Sequence, residues 1–93
     1  MTSSFDTPAR RGYIDAKASV ASLITRSVNV DHLSDRELAA LCRRSARRAL
    51  YRFEQTPESD EYNRSYFATE HHEYLGWEEH YRRCYRAEEA ASK

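Results

Sequence analysis

Apolar side chains recur along this chain at the three- and four-residue spacing of an amphipathic helix, and no stretch alternates polar and apolar residues as a strand does. Thr7 followed by Pro8 predicts a helix start, because proline suits the first helical position, where its missing N–H is not needed. The pattern that follows predicts a first helix ending at about residue 27. The apolar positions that carry it are Tyr13, Val20, Leu23, Ile24 and Val28.

The second helix has the best-defined start in the sequence. Ser34 and Glu37 have the spacing of a capping box, in which the serine hydroxyl accepts from the Glu37 amide and the glutamate reaches back to the Ser34 amide. Leu33 and Leu38 flank the box as a hydrophobic staple. A helix beginning at Ser34 is therefore predicted.

Thr56-Pro57-Glu58 resembles the Thr7-Pro8 start and predicts the opening of a third helical region. That region is either one helix to about residue 90 or two helices with a break near Ala68-Thr69, and we favour the break, with Thr69 as the second cap. Short connections make successive helices antiparallel. The predicted fold class is all-α, a small antiparallel three- or four-helix bundle, with residues 1–6 disordered and residues 7–93 forming a single helical domain.

The core is expected to be small and rich in aromatic residues. Leu, Ile, Val and Phe together number 14 of 93 residues, whereas seven tyrosines and one tryptophan add further apolar area. A chain of this length buries only about 60–65% of the surface that its unfolded form exposes. Small chains of this kind often gain further burial by binding a partner or another copy of themselves.

Charge is strongly segregated although the formal net charge is zero. Residues 1–53 contain ten basic and five acidic side chains, and residues 54–93 contain five basic and ten acidic ones. Helical geometry gathers most of the arginines of the second helix on one face, opposite its apolar side. This face, together with a tyrosine among the arginines, comprises Arg43, Arg44, Arg47, Arg48, Tyr51 and Arg52.

Three explanations of the arginine face follow from its chemistry. An antiparallel third helix could pair its carboxylates with the arginines inside the molecule. An acidic patch on a larger protein is the second explanation. Nucleic acid is the third, since arginine binds phosphate in a bidentate manner and Tyr51 could stack on a base. The sequence pI of about 6.9 argues against nucleic acid.

Residues 70–85 combine histidines, a cysteine and several aromatic residues. Tyr62, Tyr66, Trp77, Tyr81 and Cys84 follow one helical stripe, with Tyr74 and Tyr85 at its flank, and this composition is typical of both a core and a protein interface. The expected partner-binding residues of this segment are Tyr74, Trp77, Tyr81 and Tyr85. Glu73, His80 and Cys84 share a helix face, but this mixed set is weak evidence for a metal.

Catalytic interpretations lack the required motifs, so no enzyme, cofactor or metal is predicted. The chain has no glycine-rich phosphate loop and no apolar run of the roughly 18–20 residues that span a bilayer. Two cysteines and the absence of a secretory signal indicate a cytoplasmic protein. The sequence predicts a small regulator, inhibitor or accessory factor that binds a larger protein. The alternatives are nucleic-acid binding by the same arginines and, third, metal binding.

Overall fold

A computed structural model describes residues 7–92 and confirms the all-α bundle. Helix α1 comprises Pro8–Arg26, α2 comprises Asp35–Gln55 and α3 comprises Glu61–Ala91. Residues 7–92 contain no strand. The prediction of a disordered N-terminus concerns residues 1–6, which lie outside the described residues.

Helix α1 begins and ends close to the predicted positions. The Arg10 amide donates to the Thr7 hydroxyl at 3.1 Å, and Pro8 occupies the first helical position. A π-helical turn, Ser27–Asp31, follows Arg26 and ends at His32, whose φ of 51° is left-handed. The Leu33 amide donates to the Ser27 hydroxyl at 2.9 Å, which fixes the chain as it turns toward α2.

The capping box of α2 is confirmed. The Glu37 amide donates to the Ser34 hydroxyl at 3.2 Å, and the Ser34 amide donates to Glu37 Oε1 at 3.4 Å. Two amides at the helix start, neither of which has a partner within the helix, are thereby satisfied. Caps of this kind contribute about 1 kcal/mol to the free energy of unfolding.

Two expectations for the third region are wrong. Thr56 ends α2 instead of opening α3, because its backbone is extended, with a ψ of 128°; its hydroxyl donates back to the Arg52 carbonyl at 2.7 Å. Asp60 is the N-cap of α3 and accepts the Asn63 amide at 3.2 Å. Nor does α3 break near residue 69, since the Thr69 hydroxyl donates to the Ser65 carbonyl one turn earlier, at 2.9 Å. The result is one helix of 31 residues.

Helix α3 packs against both other helices and sets the topology. Successive contacts run in opposite directions along α2 and α3: Arg36 pairs with Glu89, His71 Nδ1 lies 2.8 Å from the Ala46 carbonyl, and Arg64 donates to the Thr56 carbonyl at 2.9 Å. Helix α1 runs parallel to α3, because Asp15 accepts a hydrogen bond from Tyr66 and Ser19, further along α1, lines a cavity with Tyr74, further along α3. The chain therefore runs up, down and up, with overall dimensions of 53 × 27 × 20 Å.

The core is small, as expected, and combines alanines from α2 with tyrosines from α3. The alanines bring the helices close together, and the tyrosine rings fill the space along α3. Val20 and Cys42 are the largest side chains that are almost completely enclosed. The buried apolar residues are Ala16, Val20, Leu38, Ala39, Cys42, Ala46, Ala49, Tyr74 and Tyr81.

Gly12 marks a close approach of α1 to α3. A Cβ atom at this position would overlap the backbone carbonyl oxygen of Tyr66 and lie 3.3 Å from the Thr69 Cβ. By contrast, a Cβ at Gly76 would meet no atom of the described chain within 4 Å beyond the backbone of its own helix turn. The first glycine is required by packing, and the second is not required by any contact within the described chain.

Candidate partner-binding surface

An open groove of about 450 Å³ lies between α2 and α3 and is lined mainly by arginines. Ala39 and Ala40 belong to the α2 wall and are small enough to leave the groove open, and Tyr85 belongs to the α3 wall. We call it the arginine groove. Its charged lining residues are Arg36, Arg43, Arg44, Arg47, Arg82 and Glu78.

Within residues 7–92, most of the arginines in this groove form no ion pair. Arg36 forms an ion pair with Glu89, and its guanidinium lies 4.4 Å from the centre of the Tyr85 ring. Among residues 7–92, none of Arg43, Arg44 and Arg47 forms an ion pair or a side-chain hydrogen bond. The internal ion-pair network that the charge segregation suggested is therefore confined, on this face, to Arg36–Glu89.

Carboxylates close the end of the groove near the start of α2. Asp35, Glu88 and Glu89 surround a second depression that adjoins Arg36 and Tyr85. A side-chain hydrogen bond with Asp35 raises the pKa of Glu88 above its ordinary value. The surface thus changes from basic to acidic within a short distance along the two helices.

Arg48 and Arg52 lie on the other flank of α2, so the structure divides the arginine face that the sequence predicted. They line a small cavity of about 90 Å³ where all three helices meet, together with Ser19 from α1 and Glu70 from α3. Glu70 is buried, which raises the pKa of its carboxyl, and the charge of Arg52 opposes that shift. The three helices meet on this flank, and both arginines there remain exposed.

The aromatic stripe is likewise divided between core and surface. Tyr74 and Tyr81 are buried, and burial raises the pKa of the Tyr81 hydroxyl. Trp77 and Tyr85 are half-buried against the core, whereas Tyr51 is 64% exposed. Tyr85 and Tyr51 therefore remain accessible near the arginines, while Tyr74 and Tyr81 belong to the packing of the bundle.

Trp77 is held by neighbours on its own helix. Its indole N–H donates to Glu73 Oε1 at 3.1 Å, and its ring stacks on Tyr81 with the centroids 6.2 Å apart. His80 meets the indole edge-on at 5.6 Å. Among the described residues, Glu73, His80 and Cys84 do not come together as a group that could hold a metal ion.

Cys84 Sγ lies 3.8 Å from His80 Nε2, the contact expected from their four-residue spacing. Within residues 7–92, no three side chains of His, Cys, Asp or Glu come together in an arrangement that could hold a metal ion. None of the described helices is both long and apolar enough to cross a membrane.

Helix α3 contributes Arg82 to the basic surface, which the sequence analysis had assigned to α2 alone. Arg82 and Glu78 lie four residues apart and face α2, so they complete a groove that α2 alone does not form. The helical spacing of Glu78, Arg82 and Tyr85 places them on one side of α3, but the sequence does not show how α3 is aligned along α2, and only that alignment brings these residues beside the arginines.

Comparisons with protein-family models, with curated proteins and with solved structures found no match.

Proposed function

We propose that this chain is a small, non-enzymatic, cytoplasmic regulator, inhibitor or accessory factor that binds a larger protein through an acidic surface of that protein. The observation that carries the proposal is the arginine groove, in which Arg43, Arg44 and Arg47 have no acidic partner within the described chain. Like charges three and four residues apart destabilise a helix by a few tenths of a kcal/mol per pair. A bound carboxylate-rich surface would remove that repulsion and form charge-assisted hydrogen bonds.

The aromatic residues that remain accessible support the same function. Tyr85 lies in the groove wall beneath the Arg36 guanidinium, and Tyr51 is exposed on α2. Tyrosine and arginine are enriched among the residues that dominate protein interfaces, because tyrosine combines apolar area with a hydrogen-bonding hydroxyl. We therefore assign the partner-binding role to the arginine groove with Tyr85 and Tyr51, and omit the buried Tyr74 and Tyr81.

Nucleic acid is the alternative ligand of the same arginines. A phosphate backbone is a continuous row of charges, about one per 1.7 Å of duplex axis. The basic part of the groove extends from Arg36 to Arg47, about 16 Å of helix, and is closed by carboxylates at Asp35, Glu88 and Glu89. A short acidic segment of a protein fits this length, whereas a long polyanion would meet repulsive charge at that end.

Capture from a lysate of the native host, with and without nuclease, tests this proposal. We expect the chain to retain a partner protein after nuclease treatment, and Arg43→Ala/Arg47→Ala to reduce that retention at least about tenfold, a loss of about 1.4 kcal/mol. Arg83→Ala/Arg86→Ala is the matched control, because it removes two exposed arginines of α3 outside the groove. Partner bands that disappear with the nucleic acid would instead support the alternative.

A further inference from the structure

Helix α1 packs against α3 on one side of the α2–α3 pair, and the arginine groove lies on the other side. Ser19 of α1 lies at the α2–α3 junction beside Ala49 and Tyr74. The arginine groove is on the opposite flank of α2, lined by Ala39 and Ala40. Helices of a bundle commonly pack into such grooves at interaxial distances of about 8–10 Å. Small residues on the α2 wall permit this approach.

We propose that the arginine groove receives an acidic amphipathic helix of the partner, which completes a four-helix arrangement; this inference rests on the proposed function. Charge complementarity selects the occupant. Arg43 and Arg47 are one helical turn apart, and Arg82 lies on the opposite wall. A helix with carboxylates at positions i and i+4 places them about 6 Å apart along its axis, which matches the separation of Arg43 and Arg47.

A helix fits this groove better than an extended segment does. An extended peptide that gains its affinity from main-chain hydrogen bonds adds to the edge of a sheet, and residues 7–92 form no strand. A helix satisfies those groups internally and presents side chains alone. Its carboxylates would face the arginines while an apolar side chain enters between Ala39, Ala40 and Tyr85.

Two synthetic peptides of about 20 residues and identical composition test the inference. The first carries Glu at i, i+4 and i+11 beside a Leu/Ala stripe, and the second contains the same residues in an order without helical amphipathicity. Each is titrated into the full chain by calorimetry, and a single-stranded oligonucleotide of similar charge serves as the third probe. We expect the first peptide to bind at least tenfold more tightly than the second and to gain helical circular dichroism on binding.

Variants of the groove distinguish the effect of its charge on peptide binding from the effect of its shape. Arg43→Ala/Arg47→Ala is expected to weaken binding of the first peptide at least tenfold, and Arg83→Ala/Arg86→Ala to leave it unchanged. Ala40→Leu keeps the charge but fills the groove, and is expected to weaken binding at least fivefold. Ala40 is exposed, so its substitution should leave the fold intact, which the thermal unfolding of each variant checks.

The outcomes distinguish this inference from the proposed function. Equal binding of the two peptides would overturn the inference and leave an acid-recognising protein surface in place. Binding of the oligonucleotide in the absence of peptide binding would overturn both. If no probe binds, the helix inference is rejected, while capture of a nuclease-resistant partner decides the proposed function separately.

Discussion

Gly12→Ala is expected to lower the free energy of unfolding by about 1–3 kcal/mol, although alanine is the better helix former. The added Cβ would overlap the Tyr66 carbonyl oxygen. A backbone atom within a helix cannot rotate away as a flexible side chain does, so α1 must shift relative to α3. Overpacking of this kind typically costs about 1–3 kcal/mol. Chemical denaturation followed by circular dichroism measures the change.

Gly76→Ala is the matched control and should have the opposite effect. Apart from the backbone of its own helix turn, no atom of residues 7–92 lies within 4 Å of the position that its Cβ would occupy. Replacing an interior helical glycine by alanine should therefore raise the free energy of unfolding by about 1 kcal/mol. If Gly12→Ala stabilises the chain as much as Gly76→Ala does, the close approach of α1 to α3 is contradicted.

The two cysteines are expected to differ by about 100-fold or more in their rate of alkylation at neutral pH. Cys42 is 1% exposed, and burial, followed by the negative charge of Glu78, raises the pKa of its thiol to about 11 from an ordinary value of 9.0. A rise of two pKa units lowers the reactive thiolate fraction about 100-fold. Cys84 is only partly buried and lies beside His80.

Peptide mapping after timed exposure to an alkylating reagent checks this difference. Both cysteines should react alike in denaturant, which serves as the control for their intrinsic reactivity. The raised pKa of Cys42 also predicts that the free energy of unfolding falls as the pH rises from about 9 to about 11, because the thiol ionises in the unfolded chain before it ionises in the folded one. Rapid alkylation of Cys42 in the folded chain would show that the α2–α3 core is open.

The sequence predicted the helix boundaries best where a motif is compatible with only one local structure. The capping box at Ser34 and Glu37 is confirmed. Its hydrogen bonds join residues within one helical turn, so they do not depend on how the helices pack. Threonine was ambiguous, because its hydroxyl either caps a following helix or bonds back to a carbonyl four residues earlier. Thr7 does the first, whereas Thr56 and Thr69 do the second.

The candidate site was predicted in part. Helical periodicity placed Arg43 and Arg47 on one face, but the division from Arg48 and Arg52 depends on where α1 and α3 contact α2. That register is set by packing between helices, including the close approach of α1 to α3 at Gly12. For the same reason the sequence did not separate buried from accessible tyrosines.

Arginine-specific chemical footprinting of the complex with the captured partner shows whether the partner covers the arginine groove. The chain is treated with phenylglyoxal, free and bound, and modification of each arginine is measured by mass spectrometry. Arg26 and Arg83, whose side chains are 71% and 75% exposed, are internal controls outside the groove. We expect strong protection of Arg43, Arg47 and Arg82 with the controls unchanged. Unchanged modification of those three arginines in the saturated complex would contradict this expectation.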